Sequence, residues 1–234
     1  MRLRVLTFNI HGGLGTDGAF DYERLAAVIR AAEPDLVALQ EVDQGTARSA
    51  GADQPALLAG LTGLHVAYGK AMDYDGGLYG EAILSRAPLS AERIHALPQW
   101  APHEPRCLLA TRVTPAGWPR PLAFLNTHLE HQDAPLRLAQ AEAVAGIEAA
   151  EPAILCGDFN ATPESEPMRA VLRGWTDATA APGLLSFPAT ASTVKIDYVL
   201  FRPAGAFRVV SAETLDARAS SDHRPVLAVL ELAG

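Results

Sequence analysis

The chain has 234 residues, of which 49% are hydrophobic and 20% are charged. A chain of this length buries roughly 70% of its unfolded surface, and no linker divides it, so we predict a single domain over residues 1–234. Its formal net charge is −8, with 27 acidic residues against 19 basic ones, which disfavours a long electrostatic footprint on nucleic acid. A nuclease that binds phosphate through a metal and a few local arginines remains compatible with this charge.

Neither a signal peptide nor a membrane span is predicted. Met1–Val5 leads directly into a strand-like run, and no stretch of about 18 apolar residues follows anywhere in the chain. We therefore expect a cytoplasmic protein. Cys107 and Cys156 each lie in an apolar run, which is typical of buried free thiols.

The apolar pattern predicts strands along the whole chain. Short apolar or β-branched runs recur between glycine, proline and polar residues. The predicted strands cover 3–10, 36–39, 65–70, 81–85, 90–97, 106–114, 122–127, 153–156, 196–201, 208–214 and 226–231. Their spacing indicates a meander that is more antiparallel than parallel.

Four helices are predicted between these strands, from an aspartate cap, from prolines in first turns and from an alanine-rich segment. They cover about 22–33, 55–63, 134–150 and 167–173. Residues 42–54 and 70–79 are expected to be loops that select the substrate, because loops on a rigid scaffold commonly carry specificity. The elements fit two mixed sheets packed face to face with helices outside.

Polar residues suited to metal binding or proton transfer end many of these strands. Any one of them is more often a cap or a turn former, but eight together indicate a site. They are Asn9, Glu41, His128, Asp158, Asn160, Asp197, Asp222 and His223. Oxygen ligands predominate, and no His-x-x-x-His or Cys-x-x-Cys spacing occurs, so we predict Mg²⁺ or Mn²⁺, with Zn²⁺ as the alternative.

Six short motifs, in this order, resemble the endonuclease/exonuclease/phosphatase superfamily of metal-dependent phosphoesterases. They are Thr7–Ile10, Leu39–Glu41, Asn126–Leu129, Gly157–Asn160, Lys195–Tyr198 and Ser221–Pro225. The resemblance extends from Leu3 to about Glu231, and it departs from the common pattern at Lys195, where many members carry arginine. It implies an α+β fold of the DNase I type, a four-layer αββα sandwich of two mixed β-sheets flanked by helices.

The resemblance implies roles for the residues that end the strands. Asp158 and Asn160 resemble the pair that positions the attacking water and the phosphate. His128 resembles an imidazole that donates to a phosphoryl oxygen. His223, oriented by Asp197, resembles the general base or acid, because a carboxylate beside an imidazole fixes its tautomer and raises its basicity.

The remaining candidates are metal ligands and substrate contacts. Glu41 resembles the main metal ligand, with Asn9 beside it and Asp222 as a further carboxylate on the metal side. Arg106 enters a strand, where it would either clamp phosphate or form an edge charge, and His11 follows Asn9 in a glycine-flanked loop. Candidate rim residues in the two loops are Arg48, Asp53, Lys70, Tyr74 and Tyr79, although an ordinary polar loop is the favoured reading of both segments.

Three functions compete at this point. The favoured one is a metal-dependent phosphoesterase that hydrolyses a small-molecule or lipid-like phosphodiester or phosphomonoester. The alternative is a nuclease, of the abasic-site endonuclease or deadenylase type, acting on DNA or RNA. A non-catalytic binding protein on the same scaffold is disfavoured because no catalytic position is lost. The chain offers only two lysines, Lys70 and Lys195, and no aromatic-plus-basic run, which favours the compact ester.

Overall fold

The computed structural model describes residues 1–150 and 152–233, and in these ranges it contains twelve strands and four α-helices. The strands are β1 (Arg2–Asn9), β2 (Leu36–Gln44), β3 (His65–Tyr74), β4 (Gly77–Ser85), β5 (Leu89–Ala96), β6 (Cys107–Val113), β7 (Leu122–His128), β8 (Ala153–Asp158), β9 (Thr176–Asp177), β10 (Asp197–Arg202), β11 (Phe207–Thr214) and β12 (Val226–Leu232). The helices are α1 (Tyr22–Ala32), α2 (Gln54–Thr62), α3 (Ala134–Ala145) and α4 (Glu166–Val171).

The strands form two six-stranded sheets. Sheet one has the order β11-β12-β1-β2-β4-β3, and sheet two has the order β5-β6-β7-β8-β10-β9. Within the described ranges, two pairs are parallel, β1 with β2 and β7 with β8, and every other pairing is antiparallel. The predicted mixed and mainly antiparallel sheets are therefore confirmed.

Three apolar clusters define four layers. Between the sheets, residues such as Ile83 of sheet one and Phe124 of sheet two belong to one buried cluster. A second cluster packs Ile29 of α1 against the outer face of sheet one, and a third packs Val144 of α3 and Met168 of α4 against sheet two. Burial of apolar area on both faces of each sheet produces the predicted αββα sandwich.

The three longer helices begin at an aspartate. The side chains of Asp21, Asp53 and Asp133 each accept a hydrogen bond from the backbone amide three residues later, which satisfies an otherwise unpaired donor of the first turn. The predicted extension of α3 to residue 150 is wrong, because the helix ends at Ala145. Gly146 follows it, and glycine is about 1 kcal/mol less favourable than alanine in a helix interior.

The predicted loops 42–54 and 70–79 are partly wrong. Strand β2 continues to Gln44, and its register with β4 shifts between Leu39 and Val42. Strands β3 and β4 form a hairpin whose turn residues, Asp75 and Gly76, both have positive φ values of 46° and 79°. Asp-Gly is a favoured pair for such two-residue turns, so the sequence contained a hairpin signal that the polar composition obscured.

Two further features complete the fold. The short strand β9 lies between α4 and β10, where no strand was predicted, and it pairs with β10. Over the residues described, none of the helices is both long and apolar enough to cross a membrane.

Candidate active site

A cleft of about 290 Å³ opens where the C-terminal ends of β1, β7 and β8 meet. Eight of the ten predicted site residues line it: His11, Glu41, Arg106, His128, Asp158, Asn160, Asp222 and His223. The other two, Asn9 and Asp197, lie behind them and hydrogen-bond to Glu41 and His223 respectively. The structure thus brings all ten residues into one site.

Sheet register explains this convergence. His128 is paired with Asp158 in the parallel β7–β8 ladder, and Asp158 is paired with Asp197 in the antiparallel β8–β10 ladder. On sheet one, Asn9 pairs with Gln40, so Glu41 follows at the same edge. Glu41 itself has a φ of 58°, which places it at the irregular step of β2 and is uncommon for a residue other than glycine.

Asp158 occupies the centre of the site. Its Oδ2 atom lies 3.1 Å from Nδ2 of Asn9, 3.5 Å from Nε2 of His223 and 3.6 Å from Nε2 of His128. Its Oδ1 atom accepts a hydrogen bond from the backbone amide of Asn160 at 2.9 Å. Burial and the neighbouring Asp197 carboxylate raise the pKa of Asp158 to about 7, although His223 opposes the shift.

His223 is held by a carboxylate on its far side. Its Nδ1 atom lies 2.9 Å from Oδ2 of Asp197, and the ring of Phe187 packs against it at a centroid distance of 4.8 Å. Burial disfavours the charged ring, but Asp197 and then Asp158 outweigh this effect and raise the pKa of His223 to about 10. His223 is therefore an imidazolium at neutral pH while its two partners supply the compensating negative charge.

The donor chemistry on the sheet-one side fits a hard divalent cation. Glu41, Asn9 and Asp222 present carboxylate and amide oxygens, which Mg²⁺ and Mn²⁺ prefer. Nδ2 of Asn9 donates to Oε1 of Glu41 at 3.0 Å, while Oδ1 of Asn9 accepts from the backbone amide of His11 at 3.0 Å. Asn9 therefore orients the Glu41 carboxylate, and its role as a direct ligand stays a prediction.

A second group of ligand-type atoms lies deeper. In the part of the chain that the structure describes, one set of three such side chains has its donor atoms all within 4.8 Å of one another, namely Asp158, Asp197 and His223. This buried set offers a possible metal site that the sequence did not predict as one. Its atoms already bond to each other, whereas Glu41 and Asp222 line the open cleft.

His128 sits between three polar partners. Its Nδ1 atom lies 3.0 Å from Nη1 of Arg106, and its Nε2 atom lies 3.0 Å from Nδ2 of Asn160. The Asn160 amide also donates to the carbonyl of Leu129 at 3.0 Å. Burial, followed by the charge of Arg106, lowers the pKa of His128 well below its ordinary value, so this imidazole is neutral.

The rim of the cleft includes three of the five predicted rim residues. Arg48 lies over the rings of Tyr74 and Tyr79, with its guanidinium carbon 4.7 Å and 5.6 Å from their centroids. Nε and Nη2 of Arg48 each donate to the buried Asp43 carboxylate at 2.7 Å. This bidentate pair and the two rings hold one face of the rim rigid.

Two of the rim candidates lie outside the cleft. Asp53 caps α2, where its side chain accepts from the amide of Ala56, and Lys70 forms an exposed ion pair with Asp73 at 2.7 Å. Both residues are absent from the cleft lining because α2 and the exposed face of the hairpin take them away from it.

Sequence reasoning missed several lining residues. They are Met72, Glu104, His131, Phe187 and Ile196. His131 lies three residues after His128 and Glu104 two residues before Arg106, so proximity to a motif was the available signal. Phe187 belongs to a segment without periodicity, and nothing in its sequence context indicated the contact with His223.

Comparison with known proteins agrees with this geometry. The model of the Endonuclease/Exonuclease/phosphatase family matches residues 6–223. The chain is 27% identical to the Escherichia coli K12 protein YbhP, described as uncharacterized, over 98% of this chain and 96% of the relative. An endonuclease/exonuclease/phosphatase structure from Beutenbergia cavernae is 28% identical, with a TM-score of 0.86, over 100% of this chain and 72% of that one.

A more distant structure shows the same fold. The mannosyl-6-phosphatase Bt3783 of Bacteroides thetaiotaomicron superimposes with a TM-score of 0.80 at 21% identity, and the match covers 98% of this chain and all of that one. Members of the matched family are generally hydrolases of phosphate esters. From the family match over residues 6–223, the ordered motifs and the shared four-layer fold, we conclude that this chain belongs to the endonuclease/exonuclease/phosphatase family.

Proposed function

We propose that this protein is a divalent-metal-dependent phosphoesterase that hydrolyses a compact phosphate ester with a water nucleophile. The observation that carries the proposal is the position of Asp158 Oδ2, within 3.6 Å of the side chains of Asn9, His128 and His223. A carboxylate oxygen at such a junction suits a water held in line with a phosphorus atom.

The pKa directions divide the proton-transfer roles. The pKa of Asp158, about 7, matches a general base at neutral pH, since both its ionised form and its affinity for a proton are adequate there. His223, with its pKa raised to about 10, already carries a proton and suits the acid that stabilises or protonates the departing oxygen. Asp197 compensates the imidazolium without transferring a proton.

The metal prediction rests on the donor set described above. Glu41, with Asn9 and Asp222, would hold Mg²⁺ or Mn²⁺, which when bound supplies Lewis-acid stabilisation to phosphoryl oxygens. Asn9 contributes to the site whether or not it binds the ion directly. Its amide orients the Glu41 carboxylate at 3.0 Å and contacts Asp158 at 3.1 Å.

The size and charge of the protein favour a compact substrate. The cleft of about 290 Å³ accommodates a small ester, and its rim carries Arg48 already neutralised by Asp43. The formal net charge of −8 gives no general attraction to a polyanion. A nuclease that follows a duplex would need several Lys or Arg contacts to phosphates.

A hydrolysis screen tests the proposal. Phosphomonoesters, phosphodiesters, phospholipids and defined DNA and RNA oligomers are incubated with the protein in Mg²⁺, in Mn²⁺ and after chelation. We expect metal-dependent turnover to be fastest for a small ester. Faster cleavage of an oligomer, accompanied by sub-micromolar and steeply salt-dependent binding of that oligomer, would contradict the proposal and would indicate a nuclease.

A further inference from the structure

The guanidinium group of Arg106 contacts other side chains of the protein, although the residue borders the cleft. The residue is 3% exposed. Its Nη1 atom lies 3.3 Å from the hydroxyl of Tyr79 and 3.0 Å from Nδ1 of His128. Its Nη2 atom lies 2.9 Å from the carboxylate of Glu104 and 3.4 Å from Nδ1 of His131. The four N–H groups of its two terminal nitrogens therefore each have a neighbouring acceptor in the protein.

This geometry determines the protonation of His128. A guanidinium has donors and no acceptor, and it remains charged in proteins. Nδ1 of His128 must therefore accept the hydrogen bond from Arg106, which leaves the single proton of the neutral ring on Nε2. A proton on Nδ1 would oppose the charged Arg106 donor, which costs more than a proton on Nε2 opposite the neutral Asn160 amide, and a ring protonated on both nitrogens would put an imidazolium beside a buried guanidinium.

The opposite side of the ring then presents two donors, and the carboxylate nearest to Nε2, Oδ2 of Asp158, lies 3.6 Å away, beyond ordinary hydrogen-bond distance. Nε2 of His128 lies 3.0 Å from Nδ2 of Asn160. One of the two hydrogens on this Nδ2 atom is donated to the carbonyl of Leu129. The second Asn160 hydrogen cannot be accepted by Nε2, since that atom carries its own proton. Two converging donors in a buried cleft are suited to an anionic oxygen, because a buried donor without an acceptor is unfavourable until one binds.

We propose that Arg106 is a positioning residue that holds His128 in the Nε2–H form, so that His128 and Asn160 donate together to one phosphoryl oxygen of the substrate. The identity of that oxygen rests on the proposed function. In this role Arg106 acts through the imidazole and does not clamp the phosphate itself, which distinguishes it from the direct substrate contact that the sequence predicted.

Nitrogen NMR of the full-length protein tests the tautomer without any substrate. The ¹⁵N-histidine spectrum at neutral pH is assigned by comparison with a His128→Gln variant. For the wild-type protein we expect an unprotonated Nδ1 and a protonated Nε2 at His128. A protonated Nδ1 at that ring would overturn the inference whatever the variants do.

Substitution of Arg106 separates positioning from direct contact. Arg106→Met removes every donor, so we expect His128 to lose its single tautomer and kcat to fall at least about 10-fold, with a smaller change in KM. Arg106→Lys retains a cation that can donate but cannot accept a hydrogen bond, so this variant should recover part of the tautomer preference and part of the lost kcat. Glu104→Gln is the matched control, because it weakens the Nη2 side of Arg106 and leaves Nη1 in place, so the His128 spectrum should not change.

The outcomes are distinguishable. If Arg106→Met loses activity while His128 keeps the Nε2–H form, Arg106 contacts the substrate directly and the inference is wrong. Normal kcat in a variant with an altered tautomer would also overturn it. If the wild-type protein hydrolyses no phosphate ester, the proposed function fails, whereas the measured tautomer still decides whether Arg106 controls His128.

Discussion

The carboxylate of Asp158 lies at the centre of the cleft, because one of its oxygen atoms is within 3.6 Å of side chains from three separate segments of the chain. Asn9 is the last residue of β1, His128 is the last residue of β7, and His223 precedes β12. A change of one atom at Asp158 therefore affects three contacts at once, while the size of the side chain is preserved.

We expect Asp158→Asn to lower kcat at least about 10²-fold, because the amide cannot accept the proton of water. His223→Gln should cause a loss of similar size, since it removes the buried acid. Circular dichroism and thermal unfolding check that both variants fold. Near-normal turnover of either variant in a folded state would remove that residue from the catalytic set.

The metal prediction is tested at Glu41. Glu41→Gln retains the volume of the side chain and removes the charge, so we expect Mg²⁺ binding measured by calorimetry to weaken at least about 10-fold and metal-dependent thermal stabilisation to disappear. Asp73→Asn makes the same change of charge at an exposed carboxylate outside the cleft and should bind Mg²⁺ like the wild type. Unchanged Mg²⁺ affinity in Glu41→Gln would indicate that the ion binds elsewhere. Asp158, Asp197 and His223 would then be the next candidate ligands.

At the level of single residues, the sequence predicted membership of the site better than it predicted contacts. Motifs at strand ends identified eight of the ten cleft or adjoining residues, because a strand end has a fixed place in a sheet, whereas Arg106 and His11 were separate candidates. Arg106 was ambiguous, since only tertiary structure shows that its partners are Tyr79, Glu104 and His128. The contact of Phe187 with His223 has no sequence signal because an irregular segment supplies it.

The pairing of β7 with β8 determines how far His128 lies from Asp158. Gly157 faces Thr127 in this parallel ladder, and a Cβ atom at Gly157 would overlap the carbonyl oxygen of Thr127. Backbone atoms cannot move aside as a flexible side chain does, so any side chain at position 157 forces the two strands apart next to His128 and Asp158.

We therefore expect Gly157→Ala to reduce the free energy of unfolding by about 1–3 kcal/mol and to lower kcat as well. Chemical denaturation and steady-state kinetics measure the two effects. Gly174→Ala is the control, because a Cβ there meets no atom within 4 Å. If both variants unfold at the same denaturant concentration, the close approach of β7 and β8 does not constrain residue 157.

Among the elements, strands and helix starts were predictable, while hairpins and helix ends were less so. Aspartate caps, first-turn prolines and apolar runs are local signals; an aspartate cap identified the start of α1, and a proline identified the start of α2. The β3–β4 hairpin was missed because polar residues such as Lys70 and Asp73 occupy its exposed positions, so composition suggested a loop. The short strand β9 depends on pairing with β10, which no local pattern encodes.

For the whole molecule, the buried proton on His223 links stability to pH. The pKa of His223 rises from 6.5 to about 10 on folding, so between pH 7 and 8 the folded state keeps a proton that the unfolded state has lost. The contribution is fully present below pH 6.5 and is lost as pH rises through 10. The raised pKa of Asp158 acts in the same direction.

We accordingly expect the metal-free protein to lose up to about 1.4 kcal/mol of unfolding free energy per pH unit and per proton between pH 7 and 8. Urea unfolding in the presence of a chelator measures this slope. The window lies below the ordinary thiol pKa of 9.0, so the two buried cysteines do not contribute to it. A variant with both His223→Gln and Asp158→Asn should show a smaller slope, although the buried Glu81 carboxyl, whose pKa is also raised, still contributes to it. An equal slope in that variant would refute the assignment.

The global architecture was predicted through resemblance and not through pairing rules. The count and alternation of the elements indicated two sheets with helices outside, but they did not predict the order of the strands within each sheet. Residues near the start and end of the chain, such as Val5 and Ala228, pair directly in sheet one, whereas β5 to β10 form sheet two from a continuous stretch. Local sequence carries no information on which distant strands become neighbours.

This arrangement has a consequence for synthesis on the ribosome. Strand β1 emerges first, yet its neighbour β12 and the segment Ser221–Asp222–His223 emerge only after all of sheet two. Until then β1 keeps an unpaired edge, and contacts across such a long sequence separation form slowly. A nascent chain that stops before Ser221 therefore lacks both β12, which joins β11 to β1, and the His223 side chain. With the proposed function, hydrolysis would begin only after β12 has paired with β1 and has brought His223 to Asp158.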